Sequence, residues 1–253
     1  MPAPQDLIYG RNPVYEALQA GETIDELLVA EGVQAAGRLG QALALARRAG
    51  IPVRHVPRAA LDRAVAGHGS GSHQGVVART PGFAYQDLAD ILAVAIRRQE
   101  PPFVLALDAV QDVHNLGSLV RTAEAVGVHG VVLADRESAG VSPAVRKASA
   151  GAVAHLPVAR ADLATALDDL RARGVAVVGL DVAGDVDVYD ADLGGPLAVV
   201  VGGEARGLRQ AVARRCDRLV ALPMHGHVGS LNAAVAGSVV LYEALRQRRR
   251  PIP

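Results

Sequence analysis

Hydrophobic and polar positions follow two different rhythms along the chain. Up to about Thr80 the pattern predicts short alternating elements: helices at "NPVYEALQAG", "RLGQALALARRAG" and "RAALDRAVAG", and strands at "IDELLVA", "IPVRHV" and "GVVART". We therefore expect a small α/β domain over residues 5–80. The stretch 81–102 starts and ends with proline and has a helical pattern but no strand, so it predicts a linker.

From residue 103 to residue 253 the rhythm becomes regular. Strands are predicted at "FVLALDAV", "GVVLAD", "AHLPVA", "VAVVGLD", "LAVVVGG" and "RLVALP", with helical patterns between most of them and a long one at the end. Several of these strands are apolar on both faces, which is typical of a parallel sheet covered by helices. Such sheets bind ligands at the carboxyl ends of their strands, so the loops after the strands are the candidate sites.

Composition narrows the classes of function. The chain is 50% hydrophobic and 21% charged, as in globular proteins, and its formal net charge is zero, which argues against a protein wrapped in nucleic acid by bulk charge. The single cysteine, Cys216, excludes an intrachain disulfide, and His225 and His227 lack the further ligands of a metal site. The sequence has neither a signal peptide nor an apolar stretch of ~20 residues, so we expect a cytoplasmic protein without membrane contact.

Three of the strand-end loops carry polar side chains. In "DVHNLGSLVRT", Asn115 is a candidate helix cap and Arg121 a candidate phosphate ligand; in "VVGGEARGL", Glu204 follows two glycines that allow close approach of the backbone to a ligand. In "LPMHGHVGSLNAAV", Ser230 is a candidate cap of the last helix. The apolar repeat of that helix, Leu231, Val235, Val239 and Tyr242 or Leu245, predicts a core-facing side.

The residues alone leave the ligand open. Each polar side chain can equally be a cap or a surface residue, and no dinucleotide-binding or phosphate-binding glycine motif is present, so NAD and ATP are weakly supported. The pattern predicts an α/β protein with a ligand site where the three loops converge.

Taken together and in this order, the three loops resemble the motifs of the SpoU (TrmH-type) RNA 2′-O-ribose methyltransferases of the SPOUT superfamily. The N-terminal "IYGRNPVYEAL" and "SHQGVVA" resemble the small RNA-binding domain of that family. The resemblance therefore covers almost the whole chain. It departs from the family at Val113, where proline is common; proline would stiffen the loop before Asn115.

The resemblance implies a fold, a cofactor and site residues. The fold would be α/β, with a C-terminal SPOUT α/β-knot (a deep trefoil knot on a largely parallel sheet) and an N-terminal L30e-like domain. S-adenosyl-L-methionine would lie in the knot, against Gly202, Gly203, Leu222, Met224 and Leu231. The catalytic residues would be Asn115, Arg121, Glu204, Ser230 and Asn232, and the RNA contacts Arg11 and His73. Arginine stays protonated in proteins, so we expect Arg121 to anchor a phosphate rather than to act as the base.

The implied activity is methylation of a guanosine ribose in 23S ribosomal RNA by a homodimer that needs no metal. Within the same class, a transfer-RNA guanosine methyltransferase is the alternative. From a different class, the alternative is a non-catalytic RNA-binding protein of the same fold.

Overall fold

The chain folds into two compact units in a computed structural model that describes residues 6–67 and 72–249. The first unit comprises residues 1–84 together with 140–155, and the second comprises 85–139 together with 156–253. Residues 68–71, part of the glycine-rich stretch "GHGSGSHQG", lie outside the described residues.

The first unit is built on a four-stranded sheet of order β1-β4-β2-β3, in which β4 runs antiparallel to both neighbours and β2 pairs parallel with β3. Its elements are β1 (Asp6–Tyr9), α1 (Arg11–Gln19), β2 (Glu26–Ala30), α2 (Gly37–Arg48), β3 (Val53–Val56), α3 (Arg58–Val65) and β4 (Val76–Thr80). All but β1 were predicted. With four residues, β1 is too short to show a period of its own.

Alternation along β2 covers both faces of this sheet. Leu27 and Val29 pack in the cluster that α1 and α2 complete, whereas Leu28 and Ala30 pack with Leu61 of α3. Successive strand side chains point to opposite faces, so one strand serves two apolar layers.

Residues 140–155 belong to the first unit, although the sequence pattern placed them within the second domain. They form α6 (Pro143–Ala148) and a 3-10 turn (Ala152–His155). The residues directly before and after them in the chain, 85–139 and 156–253, belong to the second unit. Buried Arg146 donates through Nη1 to both carboxylate oxygens of Glu22, at 2.9 and 2.6 Å, and Lys147 donates to the carbonyl of Ser72 at 2.6 Å. Removing one partner of a buried ion pair is costly, so this segment is firmly held in the first unit.

The second unit contains a seven-stranded sheet of order β7-β6-β5-β10-β8-β11-β9, all of whose neighbouring strands run parallel. Its strands are β5 (Phe103–Asp108), β6 (Gly130–Ala134), β7 (Val158–Ala161), β8 (Ala176–Leu180), β9 (Val186–Asp187), β10 (Leu197–Gly202) and β11 (Arg218–Ala221). Its helices are α4 (Leu88–Arg98), α5 (Val113–Ala125), α7 (Leu163–Ala172), α8 (Gln210–Ala213) and α9 (Ala233–Arg248). The parallel sheet that the sequence predicts is therefore present.

The stretch predicted as a linker, 81–102, contains α4, whose apolar face packs into the second unit. Ile91 and Leu92 are buried there among residues of the sheet and of α7, and Ala95 of the same helix is buried too. None of the helices within 6–67 and 72–249 is long and apolar enough to cross a membrane.

The central strands bring four chain segments to one edge of the sheet. Every residue of β5 and β10 is buried, as the apolar sequences of these strands predict. Gly202 at the end of β10 pairs with Asp108 at the end of β5, while Leu180 at the end of β8 pairs with Val201 and Val220. The loops after β5, β8, β10 and β11 therefore start side by side.

Helix α9 shows a different face to the core from the one predicted. Its buried residues include Ala234, Gly237, Val240, Leu241 and Ala244. The predicted apolar repeat is instead exposed at Val235 (51%) and Tyr242 (54%), so that prediction was wrong. Small residues on the buried face allow close packing: a Cβ on Gly237 would lie 2.6 Å from Cδ2 of Leu119 on α5.

Candidate active site

The first polar loop begins α5 with Asp112 as the cap, not Asn115 as predicted. Oδ1 of Asp112 accepts from the backbone N–H groups of His114 and Asn115, both at 2.8 Å. Val113 is the first helical residue. Proline is favoured at this position because the helix does not use the N–H group that proline lacks. Valine at this position thus leaves the helix start intact. Because Asp112 is the cap, the Asn115 side chain is available for another contact.

The last helix begins at Ala233 and is capped by Asn232, not by Ser230 as predicted. Oδ1 of Asn232 accepts from the N–H groups of Ala234 and Val235, at 2.9 and 3.2 Å. Ser230 stands two residues before this cap, exposed to solvent.

The three loops meet in a cluster of three side chains, Asn115, Glu204 and Asn232. Oε1 of Glu204 accepts from Nδ2 of Asn115 and from Nδ2 of Asn232, both at 2.6 Å, and Asn232 Nδ2 also lies 3.0 Å from Oδ1 of Asn115. Hydrogen bonds to an ionised acceptor are stronger than neutral ones. We call these residues the Asn–Glu–Asn cluster; it joins segments that are 89 and 117 residues from Asn115 in sequence.

The glycines of the second loop are required by the packing of the loop itself. A Cβ on Gly202 would collide with the backbone of Gly207, and one on Gly203 with the carbonyl of Ala109. Gly203 N–H donates to the Asp108 carbonyl at 2.9 Å, and Gly207 N–H donates to the Gly203 carbonyl at 2.9 Å. The backbone is consequently folded tightly at the point where the loop borders the adjacent cavity.

Beneath this loop, Asp108 holds Arg209. The carboxylate is fully buried and accepts from the Arg209 backbone N–H at 2.7 Å and from its Nε at 2.6 Å. Sequence patterns do not reveal this pair, because Arg209 lies 101 residues from Asp108.

A cavity of about 550 Å³ opens beside the cluster, at the carboxyl ends of β8 and β10 and after β11. All the residues predicted to contact the cofactor line it: Gly202, Gly203, Leu222, Met224 and Leu231. Glu204, Ser230 and Asn232 also line it, so three of the predicted catalytic residues share one space with the predicted cofactor residues. Its volume falls within the range of small-molecule sites.

Arg121 is the one predicted catalytic residue that belongs neither to the lining of this cavity nor to the Asn–Glu–Asn cluster. It lies on α5, is exposed, and does not line the two neighbouring cavities of about 730 and 480 Å³ either. His225 and His227 are exposed and do not line the 550 Å³ cavity either, and the described residues contain no group of metal-ligating side chains.

The two predicted RNA contacts in the first unit differ in exposure. Arg11 is half-buried and its Nε donates to the Gln74 carbonyl at 3.2 Å. His73 is 2% exposed: its Nδ1 accepts from the Gly75 N–H at 3.0 Å, and its Nε2 lies 3.0 Å from Asp62. The His73 ring therefore holds the end of the loop in place, while its role in RNA binding stays a prediction.

Sequence reasoning missed two charged residues that line the cavity, Asp181 and Arg206. Asp181 follows β8 directly, and a polar residue after a parallel strand is the feature that could have found it. Arg206 lies within the second loop but was not distinguished from other surface arginines.

Comparison with known proteins extends over both units. The sequence model of the SpoU rRNA Methylase family matches residues 102–242, and that for RNA 2′-O ribose methyltransferase substrate binding matches residues 7–86. A TrmH-family tRNA/rRNA methyltransferase of Bacillus subtilis, YacO, is 42% identical over 244 residues, covering 96% of each chain.

Solved structures agree with the sequence matches. The SpoU methyltransferase AviRb of Streptomyces viridochromogenes, in complex with AdoMet, has a TM-score of 0.81 at 30% identity and covers 97% of this chain and 91% of its own. The AdoMet-bound rRNA methyltransferase of Sinorhizobium meliloti has a TM-score of 0.77 at 29% identity, covering 96% and 87%. By contrast, a structure described for 2-OH methylation of C/U34 on tRNA covers 58% of this chain and 97% of its own, at 31% identity and a TM-score of 0.53.

These matches confirm the α/β-knot class of the second unit and the substrate-binding character of the first. They also confirm the cofactor as S-adenosylmethionine. The apolar and glycine-rich lining of the cavity fits its adenosine, and the charged side chains fit its polar groups. The chain belongs to the SpoU (TrmH) family of RNA methyltransferases.

Proposed function

We propose that the protein methylates the ribose 2′-hydroxyl of a guanosine in 23S ribosomal RNA, acting as a homodimer in the cytoplasm. The observation that carries the choice of ribosomal RNA is the extent of similarity. An rRNA methyltransferase matches 96% of the chain, including the substrate-binding unit, whereas the tRNA-modifying structure matches 58%. The choice of guanosine rests on the sequence resemblance to bacterial guanosine-2′-O-methyltransferases.

The chemistry requires a weakly acidic hydroxyl to attack a methyl group in line. S-adenosylmethionine supplies that methyl group on a good leaving group, so the protein has to position the hydroxyl and assist loss of its proton. The Asn–Glu–Asn cluster stands at the junction of two cavities. The second, of about 480 Å³, shares Gly203, Glu204, Arg206 and Gly207 with the first.

The second cavity suits an acceptor nucleoside because several polar and charged side chains stand in its lining. Gln111 and Asp112 come from the loop after β5, Glu137 from the loop after β6, and Arg209 from the loop after β10. A ribose bound there would have Asn115 and Glu204 at its border with the methyl donor. Amide and carboxylate groups at that border orient the hydroxyl, and the guanidinium of Arg121 from a second copy of the chain binds the neighbouring phosphate.

Two features support the homodimer. The exposed side of α9, with Val235, Val239 and Tyr242, lines an apolar cavity of about 730 Å³ that also reaches Asn115 and Asn232. Arg121 is exposed and lines neither the 550 Å³ nor the 480 Å³ cavity of its own chain, so a second copy packed on this side gives an arginine a route to the site.

The test is to incubate the protein with methyl-labelled S-adenosylmethionine and, separately, 23S ribosomal RNA and total transfer RNA, and to map ribose methylation at nucleotide resolution. We expect a single 2′-O-methylguanosine in 23S ribosomal RNA. Labelling confined to transfer RNA would select the tRNA alternative. Cofactor binding without transfer to either RNA would select the non-catalytic RNA-binding protein.

A further inference from the structure

Asp181 is half-buried and lines the cofactor cavity, and the proposed function leaves it without a role. It directly follows β8, which lies between β10 and β11 in the sheet. Its backbone N–H donates to the Val220 carbonyl at 3.0 Å, so Asp181 stands between Gly202 and Leu222, the strand-end residues predicted to contact the adenosine.

The Asp181 side chain is held in one orientation by a turn. Oδ1 accepts from the Ala183 N–H at 2.8 Å, and the Asp181 carbonyl accepts from the Gly184 N–H at 3.1 Å. Such a side-chain-to-backbone turn fixes the carboxylate before any ligand arrives.

The second oxygen of this carboxylate, Oδ2, takes no part in the turn. Among the described residues no hydrogen-bond donor to Oδ2 is found. A Cβ added to Gly207 would lie 3.8 Å from Oδ2. Gly207 has φ +62°, a conformation that suits glycine, and its missing side chain leaves the space before Oδ2 unfilled.

The other charged groups that line this cavity have different roles open to them. Glu204 is held by Asn115 and Asn232 on the side of the cavity that adjoins the second cavity, and Arg206 is a cation suited to a carboxylate. Asp181 is therefore the acidic group beside the strand ends predicted to border the adenosine. The methyl donor has three kinds of donor: the adenine amino group, the ribose hydroxyls and the α-ammonium group.

We propose that Asp181 binds the ribose hydroxyls of S-adenosylmethionine, an inference that rests on the cofactor occupying this cavity. The hydroxyls are carried by the sugar attached directly to the adenine, and Asp181 lies between the two strand ends predicted to border that base. A carboxylate at the end of a parallel strand that accepts from ribose hydroxyls is a known solution in nucleotide-binding sheets. Bonds from hydroxyls to an ionised acceptor are short and strong, so they also select against analogues that lack them.

The experiment measures binding by calorimetry with three probes: S-adenosylhomocysteine, methylthioadenosine, and methylthioadenosine lacking both ribose hydroxyls. Methylthioadenosine keeps the ribose but has no ammonium group. We expect Asp181→Ala to weaken the binding of S-adenosylhomocysteine and of methylthioadenosine by a similar factor, roughly 10- to 100-fold. The parent should discriminate against the dideoxy probe by a comparable factor, and Asp181→Ala should lose that discrimination.

Two further variants keep the test decisive. Asp181→Asn preserves an oxygen that accepts from the Ala183 N–H, so it keeps the turn and replaces Asp181→Ala if that variant does not fold. It should lose most of the discrimination between methylthioadenosine and the probe without ribose hydroxyls. Asp185→Asn removes an exposed carboxylate from the same loop that does not line the cavity, and it should bind all probes as the parent does.

If Asp181→Ala weakened the binding of S-adenosylhomocysteine but not of methylthioadenosine, the proposal would be overturned and Asp181 would be assigned to the ammonium group. Unchanged binding of every probe by a folded variant would overturn it as well. Failure of the parent to bind S-adenosylhomocysteine is a separate result, since it would contradict the cofactor assignment itself.

Discussion

Asn232 donates to Glu204 at 2.6 Å with its amide nitrogen while its amide oxygen caps α9. One side chain thus sets both the start of the last helix and the position of the glutamate. The two roles are separable by substitution, because aspartate caps helices as well as asparagine does but cannot donate to a carboxylate.

We expect Asn232→Ala to lower the free energy of unfolding by about 1 kcal/mol through the lost cap. Asn232→Asp should keep the cap, but it sets a second carboxylate against Glu204, and methylation should fall by roughly 10-fold or more. Urea unfolding and single-turnover methylation give the two readouts. Asp162→Ala, which removes the cap of α7, should cost similar stability and leave methylation unchanged. Parental activity in Asn232→Asp would show that the cluster has no part in the reaction.

Val113→Pro should stabilise the protein by roughly 0.4–1 kcal/mol. Position 113 is the first helical residue, and Asp112 before it is extended, with φ −72° and ψ 121°, as the residue preceding a proline prefers. The measurement is the midpoint of urea unfolding. His114→Pro is the matched control: it removes an N–H that Asp112 accepts, so it should destabilise. A loss of stability in Val113→Pro would contradict the helix start described here.

Val235→Glu combined with Tyr242→Glu should give a monomer, because both side chains belong to the exposed side of α9 on which the homodimer is proposed. Light scattering after size exclusion reports the mass directly. Ile96→Glu alters another apolar side chain, 76% exposed on α4, and should leave the dimer unchanged. A dimeric double variant would move the interface elsewhere.

The buried His129 should make stability depend on pH. Burial lowers the pKa of its imidazole more than Glu100 raises it, and Arg98 and Arg248 add to the lowering. Nδ1 accepts from the Phe103 N–H at 2.9 Å, which also favours the neutral ring.

The unfolded chain therefore takes up a proton on His129 at about pH 6.5, before the folded protein does. The free energy of unfolding should have its highest value above about pH 6.5 and should decrease as the pH falls below that value. Urea unfolding between pH 8 and pH 5.5 measures the decrease, and His129→Gln should show less of it. Equal pH dependence in both proteins would exclude His129 as the cause.

The sequence predicted the parallel sheet and the convergence of Asn115, Glu204 and Asn232, because apolar strands and the loops after them follow local rules. It did not predict that Asn232 rather than Ser230 caps α9, since both residue types are good caps and tertiary contacts decide between them. It also assigned Val235 and Tyr242 to the core. An apolar stripe marks a face that avoids water, but it does not say whether that face packs within one chain.

The grouping of residues 140–155 with the first unit could not be predicted, because the Arg146–Glu22 contact spans 124 residues. It has a practical consequence for dissecting the protein. The two family matches, 7–86 and 102–242, suggest two pieces that could be expressed alone. Yet the second piece would carry a guanidinium whose acidic partner is in the first, and the first would lack a helix that completes it. Separating binding from catalysis in this protein therefore calls for point substitutions in the whole chain rather than for truncation.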